Sequence, residues 1–329
     1  MNTIVWFRIW FLSVTPYGIC LALAVLLMNR VAIGTRRSIR ALRGFHPADC
    51  MWIAVPLGMI GAKLFHWVFS FGSYSFIEAL ALWRGGYAMS GAWLGFIFGV
   101  SFYSRRRKFR LSDALDCFAA ALCLFVLTER LAEGFTDQGF GKGIDTPFLQ
   151  HTLFSMTDEY GTARHAVYRL EALSAAIALL CVIRLQHNAV QRHFRVHGEA
   201  FRMALFLIAA PQIVWESMRD DGYLSLTFVR VQQGVSLACV LGLFIFYCKR
   251  LWHTSQRSMC ATLTAITILC VALIVRQEFA VDSNGNLELN YLLMMLGVGI
   301  MAACVLKLRS MWLFRLKQAQ RGKQRVRHK

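Results

Sequence analysis

Nine stretches of about twenty predominantly apolar residues, separated by short polar joints, leave this 329-residue chain few folds to choose from. They run roughly from 14 to 33, 48 to 70, 85 to 103, 112 to 131, 166 to 184, 200 to 218, 231 to 249, 259 to 276 and 290 to 308. Wound as a helix at 1.5 Å per residue, each is long enough to cross a hydrocarbon layer about 30 Å thick. No water satisfies the backbone inside that layer, so helices are the available answer. The expected fold is an all-α integral membrane protein, a polytopic bundle of about nine transmembrane helices. Composition agrees: 57% of the residues are apolar and only 16% charged, with a mean hydropathy of +0.48, far from the soluble range.

A net charge of +18 invites a nucleic-acid reading, but most of the 36 Lys and Arg residues lie in the joints. The basic clusters "NRVAIGTRRSIRALR", "RRRKFR", "RLQHNAVQRHFR" and "KRLWHTSQR" and the tail from Lys307 follow runs one, three, five, seven and nine. Cytoplasmic loops retain positive charge, so all five fall on one side, with the N-terminus outside and the C-terminus in the cytoplasm. Topology explains the charge without DNA. The start has no basic n-region and no small-residue cleavage site, so no removable signal peptide is expected. The ten cysteines, none spaced as CxxC, read as small core residues. His187, His193 and His197 have no neighbouring Cys or carboxylate pair to complete a metal shell, and no metal or cofactor is expected.

The charges left inside the runs are costly in lipid and point to function. Lys63, in "GMIGAKLFHWVF", lies about 21 Å along its helix from the cytoplasmic entrance, in the outer half of the layer. The same arithmetic puts Arg169 and Glu171 near the outer boundary, with Arg130, Tyr17 and the stretch from Glu216 to Arg219 at a similar depth. Polar groups of five helices thus converge on one level, as a pocket opening to the outer leaflet requires. Plainer readings stand beside this one. Glu216 and Arg219, three apart, neutralise each other on one helical face. Lys63 snorkels outward. His165 marks a helix start at the interface. The stretch "ERLAEGFTDQGFG" is harder to reduce: Arg130, flanked by Glu129 and Glu133, precedes glycines that offer bare backbone donors beside a cation, the chemistry that holds phosphate.

The blocks "MIGAKLF", "RGGYAMSGAWLG", "ERLAEGFTDQGFGKG", "RHAVYRLE" and "QIVWESMR" come in the order seen in the prolipoprotein diacylglyceryl transferase family, which this chain resembles over about residues 10 to 250. The family signature, approximately G-R-x-G-N-F-x-N-G-E-x-x-G, is matched at Arg130 and Gly141. Its first asparagine becomes Glu133, its second Thr136 or Asp137, and its glutamate Gln138. A Gly-Gly-x-x-x-His motif appears as Gly85, Gly86 and Ser90. The family's Tyr-Gly matches Tyr17 and Gly18, and its second-span arginine becomes Lys63. Arg164, His165 and Glu171 match a third motif. In the sixth run Glu216 and Arg219 are kept, while an arginine becomes Gln212.

The resemblance implies transfer of diacylglyceryl from phosphatidylglycerol to the lipobox cysteine of a preprolipoprotein signal peptide, with release of glycerol 1-phosphate, in the bacterial inner membrane. On that reading Arg130 stabilises the leaving phosphate, with Lys63 or Arg230 assisting. His165 or Glu133 stands in for the base missing at Ser90, and Glu216 with Arg219 supports the cations. Tyr17, Gln138, Gly141 and Glu171 complete the expected lipid-binding set. The organisation expected is a family-like membrane domain over 1–255, two additional helices over 256–310 and a basic tail over 311–329, with the segment of about 132 to 163 capping the pocket. Two other functions compete. One is an inactive relative that still binds phosphatidylglycerol or signal peptides, favoured by Ser90 and Gln212. The other is a transporter, which the sequence supports less because it shows no inverted repeat or paired broken helices.

Overall fold

A computed structural model describes residues 6–9, 12–70, 75, 85–136, 138–144, 146–158, 160–192, 194–221, 224–226, 229–283 and 286–327; Asp137 and His193, named above, lie outside them. The chain is a polytopic helical membrane protein. Its long helices are α1 (Pro16–Ser38), α2 (Pro47–Phe69), α3 (Met89–Arg106), α4 (Leu111–Ala132), α5 (Val167–Gln191), α6 (Glu199–Met218), α7 (Val231–Trp252), α8 (Arg257–Asp282) and α9 (Leu287–Arg327). Six of them, α1, α2, α4, α7, α8 and α9, are long and apolar enough to cross a membrane. The remaining three carry charges within the helix, including Arg105 in α3, Glu171 in α5 and Glu216 in α6.

Local chemistry starts and stops these helices where polar residues meet apolar runs. The Thr15 hydroxyl accepts from the Gly18 N–H at 3.1 Å and Pro16 occupies the first turn of α1, while Arg36 and Arg37 face the carbonyl end. Pro47 occupies the first turn of α2, where Asp49 adds a negative charge beside the amide end.

The chain divides into two compact units. The first comprises Met1–Ile208, Met218–Leu226 and Arg230–Gln232. Its centre is α4, buried on all sides from Asp113 to Cys123 and packed on α1 and α5. Phe45 anchors the core, meeting Tyr103, Phe109 and Phe118 edge-on with centroids 5.5, 5.4 and 6.3 Å away. At the other end of α4 from Arg130, Asp116 accepts from the N–H groups of Gly198 and Phe201 at 2.8 and 3.0 Å and so caps α6. Arg195 reaches both Asp113 and Asp116 at 3.1 Å.

The seam between α2 and α3 is made of glycines. A Cβ built on Gly91 would lie 2.3 Å from the Gly61 carbonyl oxygen, and one on Gly95 2.1 Å from that of Leu57. Gly91, Gly95 and Gly99 repeat every four residues, so one face of α3 has no side chain and the backbones close on each other, the usual lipid-phase substitute for a hydrophobic core. This contact carries the segment before α3 onto α2, where the Ala88 N–H donates to the Ala62 carbonyl at 3.1 Å.

Between α4 and α5 the all-α fold carries a few short strands. Strands β3 (Phe140–Gly143), β4 (Ser155–Thr157) and β5 (Ala163–Ala166) form an antiparallel sheet in the order β3-β5-β4, preceded in the chain by a hairpin of β1 (Phe7–Ile9) and β2 (Leu12–Val14). Backbone that leaves the helices must find partners, and this segment finds them in its own strands.

The second unit comprises Ala209–Ser217, Thr227–Val229 and Gln233–Lys329. Within it the Gln233 amide on α7 donates to the Ile213 carbonyl at 3.1 Å and to Glu278 of α8 at 2.8 Å, and the Tyr291 hydroxyl of α9 donates to the Ser217 carbonyl at 3.3 Å. Helix α9 runs on for 41 residues, so the stretch read as a tail continues the last helix.

The glycine seam predicts that Gly95→Leu abolishes recovery of monodisperse protein in detergent, whereas Gly242→Ala, at a position with no atom within 4 Å of the added carbon, leaves the thermal midpoint near that of the parent.

Candidate functional site

The last turn of α4 places Glu129, Arg130 and, through the 3-10 turn that follows, Glu133 on adjoining faces. All three are buried, Arg130 to 3% exposure. An isolated guanidinium is not tolerated there, and Arg130 is surrounded by carboxylates: Nη1 to Glu133 Oε1 at 2.5 Å, Nε to Glu129 Oε2 at 3.3 Å, and Nη1 to Glu171 Oε2 of α5 at 3.4 Å. The Tyr17 hydroxyl at the start of α1 hydrogen-bonds Glu129.

A second guanidinium enters from the end of α6. Arg219 Nη2 donates to the other oxygen of Glu133 and lies 3.6 Å from Glu171, while its Nε is 3.4 Å from Asp221. A third follows at the start of α7, where Arg230 donates to Asp221 and, at 3.3 Å, to the Arg219 carbonyl. Residues 130, 171, 219 and 230 are far apart in sequence, yet Glu133, Glu171 and Asp221 join them into one buried network. With every carboxylate ionised, three guanidiniums face four carboxylates. Glu133 is its pivot, because each of its oxygens holds a different arginine.

The glycines after Glu133 act differently from the bare donors expected. Gly141 and Gly143 lie in β3, which pairs with β5 and bridges Gly141 to Arg219. The Phe140 carbonyl accepts from the Asp220 N–H at 2.9 Å, the Gly139 carbonyl from the Tyr168 N–H at 3.2 Å, and the Gly139 N–H donates towards Asp221 at 3.5 Å. Gly139 has φ +80°, and a Cβ on it would lie 2.9 Å from Glu133 Oε2. Any other residue there would be strained and would push on the pivot. Gly141 is equally confined, with the Met218 carbonyl and the His165 Cβ both 2.8 Å from an added carbon.

The structure thus joins Tyr17, Arg130, Glu133, Glu171, Arg219 and Arg230 in one network, with Gly141 in the strand alongside and Gln138 at the entry to that strand. His165 sits on β5, paired with Ser155, its Cβ over Gly141. Gln212, where the family pattern has an arginine, donates to Glu216 at 2.8 Å, and both belong to the second unit. Arg169 turns to the sheet region, donating to the Leu153 carbonyl at 2.7 Å and to the Tyr168 hydroxyl at 3.0 Å. Asp221 escaped sequence reasoning; its only signal was an acidic residue two positions after Arg219.

Lys63 lies on α2. Its Nζ donates to the Gly85 carbonyl at 2.8 Å and lies 4.7 Å from the centre of the Tyr87 ring. One turn on, the His66 ring lies over Gly86, which has φ +87°; a Cβ there would be 2.7 Å from the ring. Ser90 is buried in the first turn of α3.

The loop between β4 and β5 is held by Asp158, which accepts from the Thr162 N–H at 2.8 Å and from Arg164 Nε at 2.8 Å; Arg164 also reaches Asp220 at 2.9 Å. The Thr162 hydrogen bond, then Arg164, holds the Asp158 carboxyl below its ordinary range.

A family model for prolipoprotein diacylglyceryl transferase matches residues 4–249 of this chain. A protein of Lactobacillus acidophilus named phosphatidylglycerol–prolipoprotein diacylglyceryl transferase is 25% identical over 251 residues, covering 74% of this chain and 88% of its own length. A protein of the same name from Lactobacillus gasseri is 24% identical over 246 residues, with 73% and 87% covered. One from Pediococcus pentosaceus is 26% identical over 233 residues, with 69% and 82% covered. Helices α8 and α9 lie beyond the family match.

Two outcomes follow from this geometry. Glu133→Gln leaves two buried guanidiniums sharing a neutral amide, and removing one partner of such a network costs on the order of 3 kcal/mol; chemical denaturation in detergent should register a loss of that size. Asp158 binds its proton less readily in the fold than in the unfolded chain, so its contribution is complete above the ordinary aspartate value of about 4 and disappears as pH falls through the lower folded value. Amide exchange across residues 155–166 should accelerate in Asp158→Asn at neutral pH and match the parent once pH is below that window.

Proposed function

This chain belongs to the prolipoprotein diacylglyceryl transferase family, and from that premise we propose that it moves diacylglyceryl from phosphatidylglycerol to the cysteine thiol of a lipobox peptide, releasing glycerol 1-phosphate. The sulfur forms a bond to the terminal glyceryl carbon as that carbon's bond to the phosphate oxygen breaks, and the thiol proton ends on the departing phosphate. Negative charge grows on the leaving group, so the site must present fixed positive charge where little water screens it.

The observation that supports this reading is the gathering of Arg130, Arg219 and Arg230 from three distant segments around shared carboxylates. Arg130 is the proposed donor to the phosphate. Glu133 holds it in place, so little reorganisation is needed when charge develops. Its contacts to Glu129 and Glu171, at 3.3 and 3.4 Å, are longer than the one to Glu133. A phosphate oxygen takes over one of these longer positions, keeping the tight pair intact. The planar fork of arginine suits two phosphate oxygens at once. Lys63 adds charge from the α2 side, and Tyr17, Gln138 and Gly141 border the head group.

The proposed setting is a bacterial inner membrane crossed by the nine long helices found among the described residues. The basic clusters are cytoplasmic and the N-terminus periplasmic, which puts the arginine network and the β3-β5-β4 sheet at the periplasmic face. Residues 1–255 form the transferase part, with 256–310 as an addition and 311–329 as its basic cytoplasmic end. A second reading, a relative that binds phosphatidylglycerol or signal peptides without turnover, is favoured by Ser90 and Gln212.

Purified protein, phosphatidylglycerol labelled in its acyl chains and a synthetic lipobox peptide decide between them. The parent should form labelled thioether, and Arg130→Ala should lower turnover roughly 100- to 1,000-fold, the cost of losing one positioned donor. Bound lipid with no labelled peptide from the parent supports the second reading, and full activity in Arg130→Ala removes Arg130 from its role.

A further inference from the structure

We propose that the last turns of α3 hold an anionic phospholipid, with Arg105 and Arg106 on its phosphate and Phe98 and Phe102 against the start of its acyl chains. Phe98, Ser101, Phe102, Arg105 and Arg106 line a groove of about 430 Å³, within the roughly 300 to 1,000 Å³ usual for ligand sites. Their spacing of three, four, seven and eight residues puts all five on one face of the helix. The rings come first along the helix and the guanidiniums last, the order in which a lipid presents its tails and its head group. Phe98 is 63% and Phe102 44% exposed, and both arginines are exposed.

The rest of the chain leaves these two cations unanswered. Among the described residues neither pairs with a carboxylate, whereas Arg130, Arg164, Arg195, Arg202, Arg219 and Arg230 each do. Capping the helix is not their task either. The carbonyls of Tyr103, Ser104 and Arg105, at the end of α3, accept from the N–H groups of Arg107, Phe109 and Lys108 at 3.0, 2.9 and 3.2 Å. Other cations of the same joint are engaged, Arg107 lying 6.0 Å over the Tyr103 ring and Arg110 Nη1 3.4 Å from His197 Nε2. Arg106 lies 5.3 Å over the Phe102 ring inside the groove. A stacked guanidinium keeps its N–H edge available to phosphate oxygens.

An anion from outside the chain completes this arrangement, and a phospholipid brings charge and tail together. A soluble phosphate answers the arginines but leaves two phenyl rings uncovered. A zwitterionic lipid carries a cation of its own to the same place. The groove is also separate from the arginine network. Helix α4 begins just after this joint and carries Arg130 towards its far end, about 28 Å along the axis at 1.5 Å per residue. A lipid on Arg105 and Arg106 therefore lies in the opposite leaflet from one on Arg130, and the site stands whether or not the chain performs the transfer proposed above.

The test is site-directed photocrosslinking of full-length protein in vesicles of equimolar phosphatidic acid and phosphatidylcholine, with a benzophenone amino acid in place of Leu94. Leu94 is 59% exposed and lies one turn before Phe98, outside the groove lining. Phosphatidic acid should exceed phosphatidylcholine about tenfold among the lipid adducts, since each basic residue near the surface strengthens an anionic contact several-fold. Arg105→Gln with Arg106→Gln should bring the two lipids to within about twofold of each other, with the thermal midpoint held. Arg107→Gln with Lys108→Gln removes the same charge from the same joint and should leave most of the enrichment, which diffuse attraction to a basic loop does not predict. Excess glycerol 3-phosphate should leave the adduct in place. Equal adducts of the two lipids in the parent overturn the site, whether or not the variants fold. Equal losses in the two pairs of substitutions also overturn it, by assigning the attraction to the joint as a whole. Displacement by glycerol 3-phosphate does so too, by assigning the groove to a soluble phosphate.

Discussion

Glu133 holds two guanidiniums, and the first unit's arrangement at that end of α4 follows from this bridge. Buried arginines are tolerated only with their charge answered, and here Arg130 at the end of α4 and Arg219 after α6 are answered by opposite oxygens of one carboxylate. The bridge fixes where the chain leaves α6, and Asp221 extends it to Arg230 at the start of α7. Gly139 and Gly141 owe their identity to the same point, since a side chain at either would strike the pivot or the backbone leading to Arg219. The network is poor evidence of stability, because desolvation consumes much of what the pairings return. It does set a definite geometry, which a phosphate-binding site requires.

The glycine seam between α2 and α3 plays the complementary part. In lipid an apolar side chain gains little by leaving its surroundings, so helices associate through close backbone contact. Gly91, Gly95 and Gly99 supply that contact, and as a consequence the Gly85–Ala88 strip is laid across Lys63 and His66. The small residues that join the helices thus also bring the Lys63 ammonium and the His66 imidazole beside Gly85, Gly86 and Tyr87.

Much of the frame was legible in the primary structure. Apolar length marked the nine long helices among the described residues, because exclusion of water dictates helix wherever such a run occurs. Periodicity did not reveal that α9 continues past 311, since charged residues stay helical outside an apolar environment. The sheet between α4 and α5 was also hidden. Its strands are three or four residues long, too short for any alternation to register, and their pairing depends on Ala163–Ala166 returning beside Phe140–Gly143.

Taken by itself, the order of residues determined a helical membrane protein and singled out Tyr17, Arg130, Glu133, Glu171, Arg219 and Arg230 among its candidates, because polar groups in or beside apolar runs are costly to bury. Only the folded chain decided which of them meet, that Asp221 joins them, that Arg169 turns away to the Leu153 carbonyl and that Gly141 and Gly143 lie in a strand. Nor did the sequence tell that His66 rests on Gly86. The reason is distance: these partners are tens of residues apart or on different helices, and the cost of burying each charge is met by groups that only tertiary packing brings within reach.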